Sequence, residues 1–316
     1  MFNLPSPIQQ LSHSSFADAE LDVFIKRDDL IHPIVSGNKW RKLKYFFNDA
    51  DMPKHMVSFG GAYSNHIHAL SYVANYYDIP LSLYIRGEAS WLDKPQQLSP
   101  TLRDCMQNQA MLNFLDRKTY RLKDDAEFKQ QILANYPNRT LWVAEGGCDQ
   151  IALKGVAEIL SEQTNDFDYI VCPVGSATTL AGLVAAAAPN QCVIGIAALK
   201  QADYLRERVH SLIGEQAKSK NWQLLTEFHC GGFGKLTESV LLQAQQFFTH
   251  HQITLDPVYT SKMSLAFHAL VDKGYFPKGG KVLLLHTGGV QGWRGYLQQN
   301  KVTQAYLTEI GLPQVS

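Results

Sequence analysis

Short apolar runs recur along this chain with helix-length amphipathic segments between most of them, and that alternation limits the fold more than any other feature. The runs are Val23-Phe24-Ile25, His55 to Phe59, Leu81 to Ile85, Thr140 to Ala144, Tyr169 to Val174, Cys192 to Ile196 and Lys281 to Leu285. Helical spacing fills the intervals, as in Ser64 to Tyr77 and Leu236 to His250. Strands that alternate with helices predict an α/β chain of mainly parallel sheets covered on both faces. Three of the runs lead straight into glycine-bearing loops: Gly60-Gly61-Ala-Tyr-Ser-Asn65, Gly175-Ser-Ala-Thr-Thr179 and Thr287-Gly-Gly289. Ligands of open α/β sheets sit beyond the carboxyl ends of the strands. Three such loops therefore predict one shared site, although each alone also fits a tight strand-to-helix turn.

At 316 residues the chain exceeds the usual size of one domain, so two lobes or one large unit are expected. Lysine plus arginine equals aspartate plus glutamate at 29 each. A neutral surface exerts no long-range pull on nucleic acid or an anionic membrane, which leaves a small molecule as the expected partner. The stretch Ile170 to Ala188 approaches membrane-spanning length, yet it contains Pro173, Gly175, Ser176, Thr178 and Thr179 and reads as strand, loop and helix. Five cysteines form no CxxC pair and predict reduced core residues. The start, Met-Phe-Asn-Leu-Pro-Ser-Pro, lacks the basic and apolar pattern of a secretion signal, so a cytoplasmic protein is expected.

Four segments carry chemistry-bearing residues. In Val174-Gly-Ser-Ala-Thr-Thr-Leu-Ala-Gly182 a strand ends, a glycine permits close approach, and hydroxyl residues open a helix whose N–H groups suit an anion. It matches neither GxGxxG nor GxxxxGK[ST], which disfavours dinucleotides and ATP. An ordinary capped helix start has the same look. In Ser36-Gly-Asn-Lys39-Trp-Arg-Lys-Leu the Gly37-Asn38 turn is followed by Trp40, Leu43, Phe46 and Phe47 at helical spacing. Lys39 then projects from the first turn, where desolvation or the neighbouring Arg41, Lys42 and Lys44 would lower its pKa; a solvated basic face is the ordinary alternative. Ser64, Asn65 and His66 stand at a helix start after Gly60-Gly61, suited to a carboxylate or simply to capping. Near the C-terminus come Leu255-Asp-Pro-Val-Tyr259-Thr-Ser-Lys262 and His286-Thr287-Gly-Gly289. No HExxH and no Cys/His ligand spacing is present, so no metal is expected.

In order along the chain, Lys26-Arg-Asp-Asp-Leu, Ser36-Gly-Asn-Lys-Trp-Arg-Lys-Leu, Phe59-Gly-Gly-Ala-Tyr-Ser-Asn-His, Ala144-Glu-Gly-Gly, Asp256-Pro-Val-Tyr-Thr-Ser-Lys and His286-Thr-Gly-Gly resemble the pyridoxal-phosphate (PLP) dependent family of 1-aminocyclopropane-1-carboxylate deaminase and D-cysteine desulfhydrase. The resemblance implies the tryptophan-synthase β-subunit fold (PLP fold type II), with a larger PLP-binding domain from 1–47 and 151–316, a smaller inserted α/β domain at 48–150, and a homodimer. It also implies roles. Lys39 is the Schiff-base lysine and proton shuttle; Gly175, Ser176, Ala177, Thr178 and Thr179 form the phosphate cup; Asn65 bonds the ring hydroxyl and Thr287 the pyridine nitrogen. Ser64, Asn65 and His66 meet the substrate, and Tyr259 is the active-site tyrosine.

Deaminases of this family carry glutamate after that tyrosine and leucine before the late Gly-Gly, where this chain has Thr260 and Thr287. A neutral hydroxyl near the ring nitrogen makes a weaker electron sink than a carboxylate does, which favours β-elimination over cyclopropane opening. The expected reaction is conversion of D-cysteine to pyruvate, sulfide and ammonia. Deaminase, racemase or dehydratase chemistry on the same cofactor, or a binding protein without turnover, are the alternatives. Phe233 replaces a tyrosine, Tyr63 a glutamine, and Ile67-His68 the usual Thr-Arg, all at positions expected to line the substrate pocket.

Overall fold

The computed structural model describes residues 2–47 and 52–313, and every statement below concerns those residues. Ten strands occur in chain order: β1 (Ile8–Leu11), β2 (Asp22–Lys26), β3 (His55–Gly60), β4 (Leu81–Arg86), β5 (Met111–Leu115), β6 (Thr140–Val143), β7 (Tyr169–Val174), β8 (Cys192–Ala197), β9 (Trp222–Leu225) and β10 (Lys281–Leu285). They form two sheets. The larger has the order β1-β2-β10-β7-β8-β9 and the smaller β5-β4-β3-β6. Only β1 and β2 pair antiparallel, with Ile8 opposite Lys26; the other pairs are parallel. This is the α/β architecture that the alternating pattern predicts. The segment 48–51, where the expected domain boundary falls, lies outside the described residues.

The central strands β7 and β8 are apolar throughout because both faces are covered. Every residue of β8 is buried. In β7 the side chains alternate: Ile170 and Cys172 join one core cluster with Leu180, Leu183 and Val209, while Val171 joins another with Met263, Phe267 and Leu284. The stretch of near-membrane length resolves into β7 and the helix Thr178–Ala186. No helix among the described residues is long and apolar enough to cross a membrane.

Three strands have no counterpart among the predicted runs: β1, β5 and β9. All three lie at sheet edges. An edge strand is half solvated and needs no continuous apolar run. β1 accordingly reads Ile-Gln-Gln-Leu, and no residue of β5 is fully buried.

Candidate active site

The loops that follow β3, β7 and β10 line one cleft of about 740 Å³. Twelve of the thirteen residues expected to hold cofactor or substrate line it; Thr178 is fully buried behind it, and Ile67 and His68, also expected at the pocket, are buried outside its wall.

Lys39 sits in the first turn of the short helix Asn38–Leu43, with Trp40 and Leu43 on the core side. What places the lysine there is Gly37, at φ +65°: a Cβ at that residue would lie 1.9 Å from the carbonyl oxygen of Thr287. Only glycine allows the two loops to touch so closely. Lys39 Nζ donates to Asn38 Oδ1 at 2.8 Å, and Asn38 Nδ2 donates to Thr179 Oγ1 at 2.9 Å. The lysine is thus tied to the loop after β7. Burial lowers its pKa to about 8, against the opposing attraction of the Asp256 carboxylate.

The expected contribution of neighbouring cations to that shift is not what the structure shows. Arg41 is turned away in a buried pair with Asp28, at 3.1 Å, and Lys44 pairs with Glu158. Lys42 stays beside the cleft and donates to Gly146 O and Ser176 Oγ, each at 3.2 Å. Burial, and then the charge of Lys39, bring its pKa down to about 7. Asn38 and Lys42 are site residues that the sequence reading did not single out. The signal for Lys42 was its i+3 spacing from Lys39, which puts both amines on one side of the helix.

The loop Gly175 to Ala177 leads into the helix Thr178–Ala186, whose N-cap Ala177 adopts a left-handed conformation at φ +67°. Gly175 passes against Tyr259 so closely that a Cβ would meet its ring at 2.9 Å. The helix start, Ser176, Thr179 and the Lys42 ammonium together form a concave donor set suited to a dianion.

Opposite, Ser64 caps the helix Asn65–Tyr76 by accepting from His66 N at 3.3 Å. Asn65 Oδ1 accepts from Gln291 Nε2 at 3.2 Å. His66 is buried, and its tautomer follows from its partners. The hydroxyl of Ser58 donates to Val143 O at 2.8 Å, so His66 Nε2, 2.9 Å from that hydroxyl, must be the donor between them. Nδ1 is left a bare acceptor, and desolvation holds the ring neutral with a pKa of about 3. His68 points elsewhere. Its Nε2 lies 3.0 Å from Asp104 Oδ2, and Asp104 also pairs with Arg294.

Thr287 lines the cleft, whereas Thr260 does not. Thr260 is fully buried and donates through both N–H and hydroxyl to Asp256 Oδ2, at 2.6 and 2.7 Å. Asp256 Oδ1 accepts from Val258 N and Tyr259 N, both at 2.9 Å. The carboxylate is consumed in starting the helix Thr260–Asp272. Burial raises the Tyr259 hydroxyl well above the usual phenol range, with the negative charge of Asp256 adding to the effect. None of the five cysteines is in a disulfide; Cys105, Cys172 and Cys192 are core residues as expected, whereas Cys148 and Cys230 are only half-buried.

A lysine of lowered pKa beside an anion cradle is the pairing that a phosphorylated aldehyde requires, and comparison with known proteins agrees. Residues 1–288 match the model of the family described as pyridoxal-phosphate dependent enzyme. The chain belongs to that family. Its cofactor is therefore pyridoxal phosphate, and the fold is that of the family's type II members. The chain is 30% identical over 312 residues to a putative 1-aminocyclopropane-1-carboxylate deaminase of Pyrococcus horikoshii, covering 91% of this chain and 90% of that protein. It is 27% identical over 329 residues to the 1-aminocyclopropane-1-carboxylate deaminase of a Bradyrhizobium species, covering 92% and 93%. Among solved structures, one described as an ACC deaminase homologue superposes with a TM-score of 0.77 at 26% identity, covering 98% of this chain and 94% of that one. Serine racemase from Dictyostelium discoideum has the same fold, with a TM-score of 0.65 at 16% identity over 90% and 92% of the two chains.

Proposed function

We propose that this enzyme is a lyase that performs α,β-elimination on a small amino acid, with D-cysteine as substrate and pyruvate, sulfide and ammonia as products. The observation that carries this reading is the neutral hydroxyl of Thr287 in the cleft wall, with the Asp256 carboxylate turned away and saturated by its own turn. Pyridoxal phosphate, when bound, supplies an aldehyde for the lysine and a ring that draws electrons from the substrate α-carbon. Lys42, Ser176, Thr179 and the helix start of 178–186 would hold its phosphate, and Asn65 its ring hydroxyl.

The remaining roles belong to the side chains. Lys39, with a pKa near 8, is neutral in a large enough fraction to accept the α-proton at Nζ. The Ser64 hydroxyl and the Asn65 amide offer donors to the substrate carboxylate, whereas His66, expected to join them, has its N–H groups committed to Ser64 and Ser58 and presents a bare acceptor. Tyr259 keeps its proton and donates a hydrogen bond to the departing sulfur, which leaves as hydrosulfide when the carbon–sulfur bond breaks and takes up its proton from water. Water then converts the released enamine to pyruvate and ammonia. The same reading makes 1–47 and 151–316 the cofactor domain, 48–150 the inserted domain and a cytoplasmic homodimer the working unit.

A second reading, ring opening of 1-aminocyclopropane-1-carboxylate to 2-oxobutyrate and ammonia, is favoured by the names of the relatives. The test is to offer PLP-loaded enzyme D-cysteine, L-cysteine and 1-aminocyclopropane-1-carboxylate separately, and to measure each 2-oxoacid. Pyruvate from D-cysteine alone supports elimination, and 2-oxobutyrate as the sole product reverses the assignment. Loaded enzyme that makes neither leaves a cofactor-binding protein without this chemistry.

A further inference from the structure

Four aromatic side chains, Tyr63, Phe233, Tyr259 and Tyr296, line the cleft, and the elimination chemistry uses only one of them. Tyr259 lies against Gly175 at the cradle. The ring of Phe233 is 6.0 Å from that of Tyr259, tilted at 59°. The loop carrying Phe233 is held by Tyr296, whose hydroxyl donates to Gly234 O at 3.0 Å. One residue earlier on the same helix, Gly295 accommodates Tyr63, since a Cβ there would meet its ring at 2.6 Å. Residues 295 and 296 thus seat Tyr63 and Phe233 at the cleft, next to the substrate-facing Ser64.

Phe233 is 59% and Tyr63 47% exposed, large values for rings that line a concave site. Tyr63 has only one long polar contact, from its hydroxyl to Gln298 Oε1 at 3.5 Å. The wall is also anchored across the cleft. Arg294, on the helix Trp293–Gln298, pairs with Asp104 on the helix Pro100–Gln107, and Gln298 Nε2 donates to Leu98 O at 2.8 Å. Exposed aromatic faces held in a preformed concavity gain from covering by another apolar or aromatic surface. A thiol the size of that of cysteine is too small to cover both.

We infer that the pocket for the substrate's β-substituent is built for a bulky aromatic or apolar group, so that the preferred substrates are β-substituted alanines carrying an aryl or comparably large leaving group. This rests on the elimination reading for its chemistry and on the aromatic wall for its selectivity. The reaction balances as before: the α-proton goes to Lys39, the carbon–heteroatom bond breaks, and the leaving group departs as an arylthiolate that takes up its proton from water.

Two experiments on the PLP-loaded enzyme keep the two readings apart. Calorimetry with phenylalanine and alanine, which have no leaving group, reads the pocket without turnover. Phenylalanine is expected to bind about tenfold or more tighter, and Phe233→Ala to remove most of that preference. Equal binding of the two amino acids, or an undiminished preference in Phe233→Ala, overturns the inference. Separately, kcat/KM for pyruvate release is compared between S-phenylcysteine and cysteine, in both enantiomers, with β-chloroalanine as a small, reactive control. A higher value for the aryl substrate supports the inference, and a lower one overturns it. If phenylalanine is preferred but no substrate, β-chloroalanine included, yields pyruvate, the pocket assignment stands and the elimination reading falls.

Discussion

The two ends of the cleft are made of different materials. Around Ser176 the wall is backbone, hydroxyls and two amines depressed by burial, tied into a chain of short hydrogen bonds from Lys39 through Asn38 to Thr179. Around Tyr63 and Phe233 it is exposed aromatic surface with a single long polar contact. A polar, desolvated end is intolerant of change, because removing one partner strands another in a low-dielectric site. An apolar, solvated end changes its preference by small increments of area. Cofactor chemistry belongs to the first kind of wall and substrate choice to the second.

Replacing Lys39 with alanine tests that division most severely. Turnover is expected to fall on the order of 10³-fold or more, because both the cofactor attachment and the proton acceptor go. After loading and borohydride reduction, peptide mapping should place the label of the wild-type protein at position 39. A label at Lys42 would reassign the two amines and merge the roles kept apart here.

Lys42→Met probes the same end more gently. It removes a cation and leaves Ser176 Oγ and Gly146 O without their donor. Charge-assisted hydrogen bonds contribute about 1.5–3 kcal/mol, so the dissociation constant of pyridoxal phosphate should rise roughly 10- to 100-fold by equilibrium dialysis. An unchanged constant would mean that the cradle holds its anion by backbone alone.

The amines also set a pH dependence. Only neutral Lys39 can condense with an aldehyde, and its pKa lies near 8 instead of 10.5. Below pH 8 the rate of cofactor capture by the apoprotein should rise about tenfold per pH unit, then flatten above it. Stopped-flow absorbance measures this directly. A rate still climbing past pH 9 would place Lys39 in a solvent-like setting and weaken the contrast between the two ends.

Legibility in the sequence follows the same split. Central strands such as β7 and β8 are uninterrupted apolar runs, and the glycine loops after β3, β7 and β10 advertise a shared cleft. The edge strands β1, β5 and β9 carry no such run, since half their surface meets water. Within the site, Lys39 was conspicuous from its turn and its helical register. Lys42 was hidden among four basic residues in six, and only the packing shows that Arg41 and Lys44 are drawn off by Asp28 and Glu158. Thr260 looked like half of a functional pair with Thr287, yet a helix-initiating turn buries it against Asp256. Of the aromatic side chains in the cleft, the resemblance places Tyr63, Phe233 and Tyr259 at the pocket, and Tyr296 carries no sequence signal. Tyr63, Phe233 and Tyr296 are far apart in the chain, and no local pattern reports that residues 295 and 296 gather them.

The smallest effect concerns Ala177, where the cradle stores backbone strain. At φ +67° an alanine costs about 1–2 kcal/mol relative to glycine, which argues that Ala177→Gly should stabilise the fold. Two losses oppose this. Glycine widens the unfolded ensemble by about 0.4–1 kcal/mol, and the buried methyl group forfeits about 0.8 kcal/mol of transfer energy. The terms nearly cancel, so urea unfolding of the apoprotein should change by no more than about 0.8 kcal/mol in either direction. Ala177→Val behaves differently: its branched side chain adds bulk at a position where Ala177 is already 2% exposed, and it worsens the left-handed strain. A loss of about 2–3 kcal/mol is expected there. If valine is tolerated as well as glycine, the loop relaxes out of the left-handed conformation, and the cradle is no more rigid than the aromatic end of the cleft.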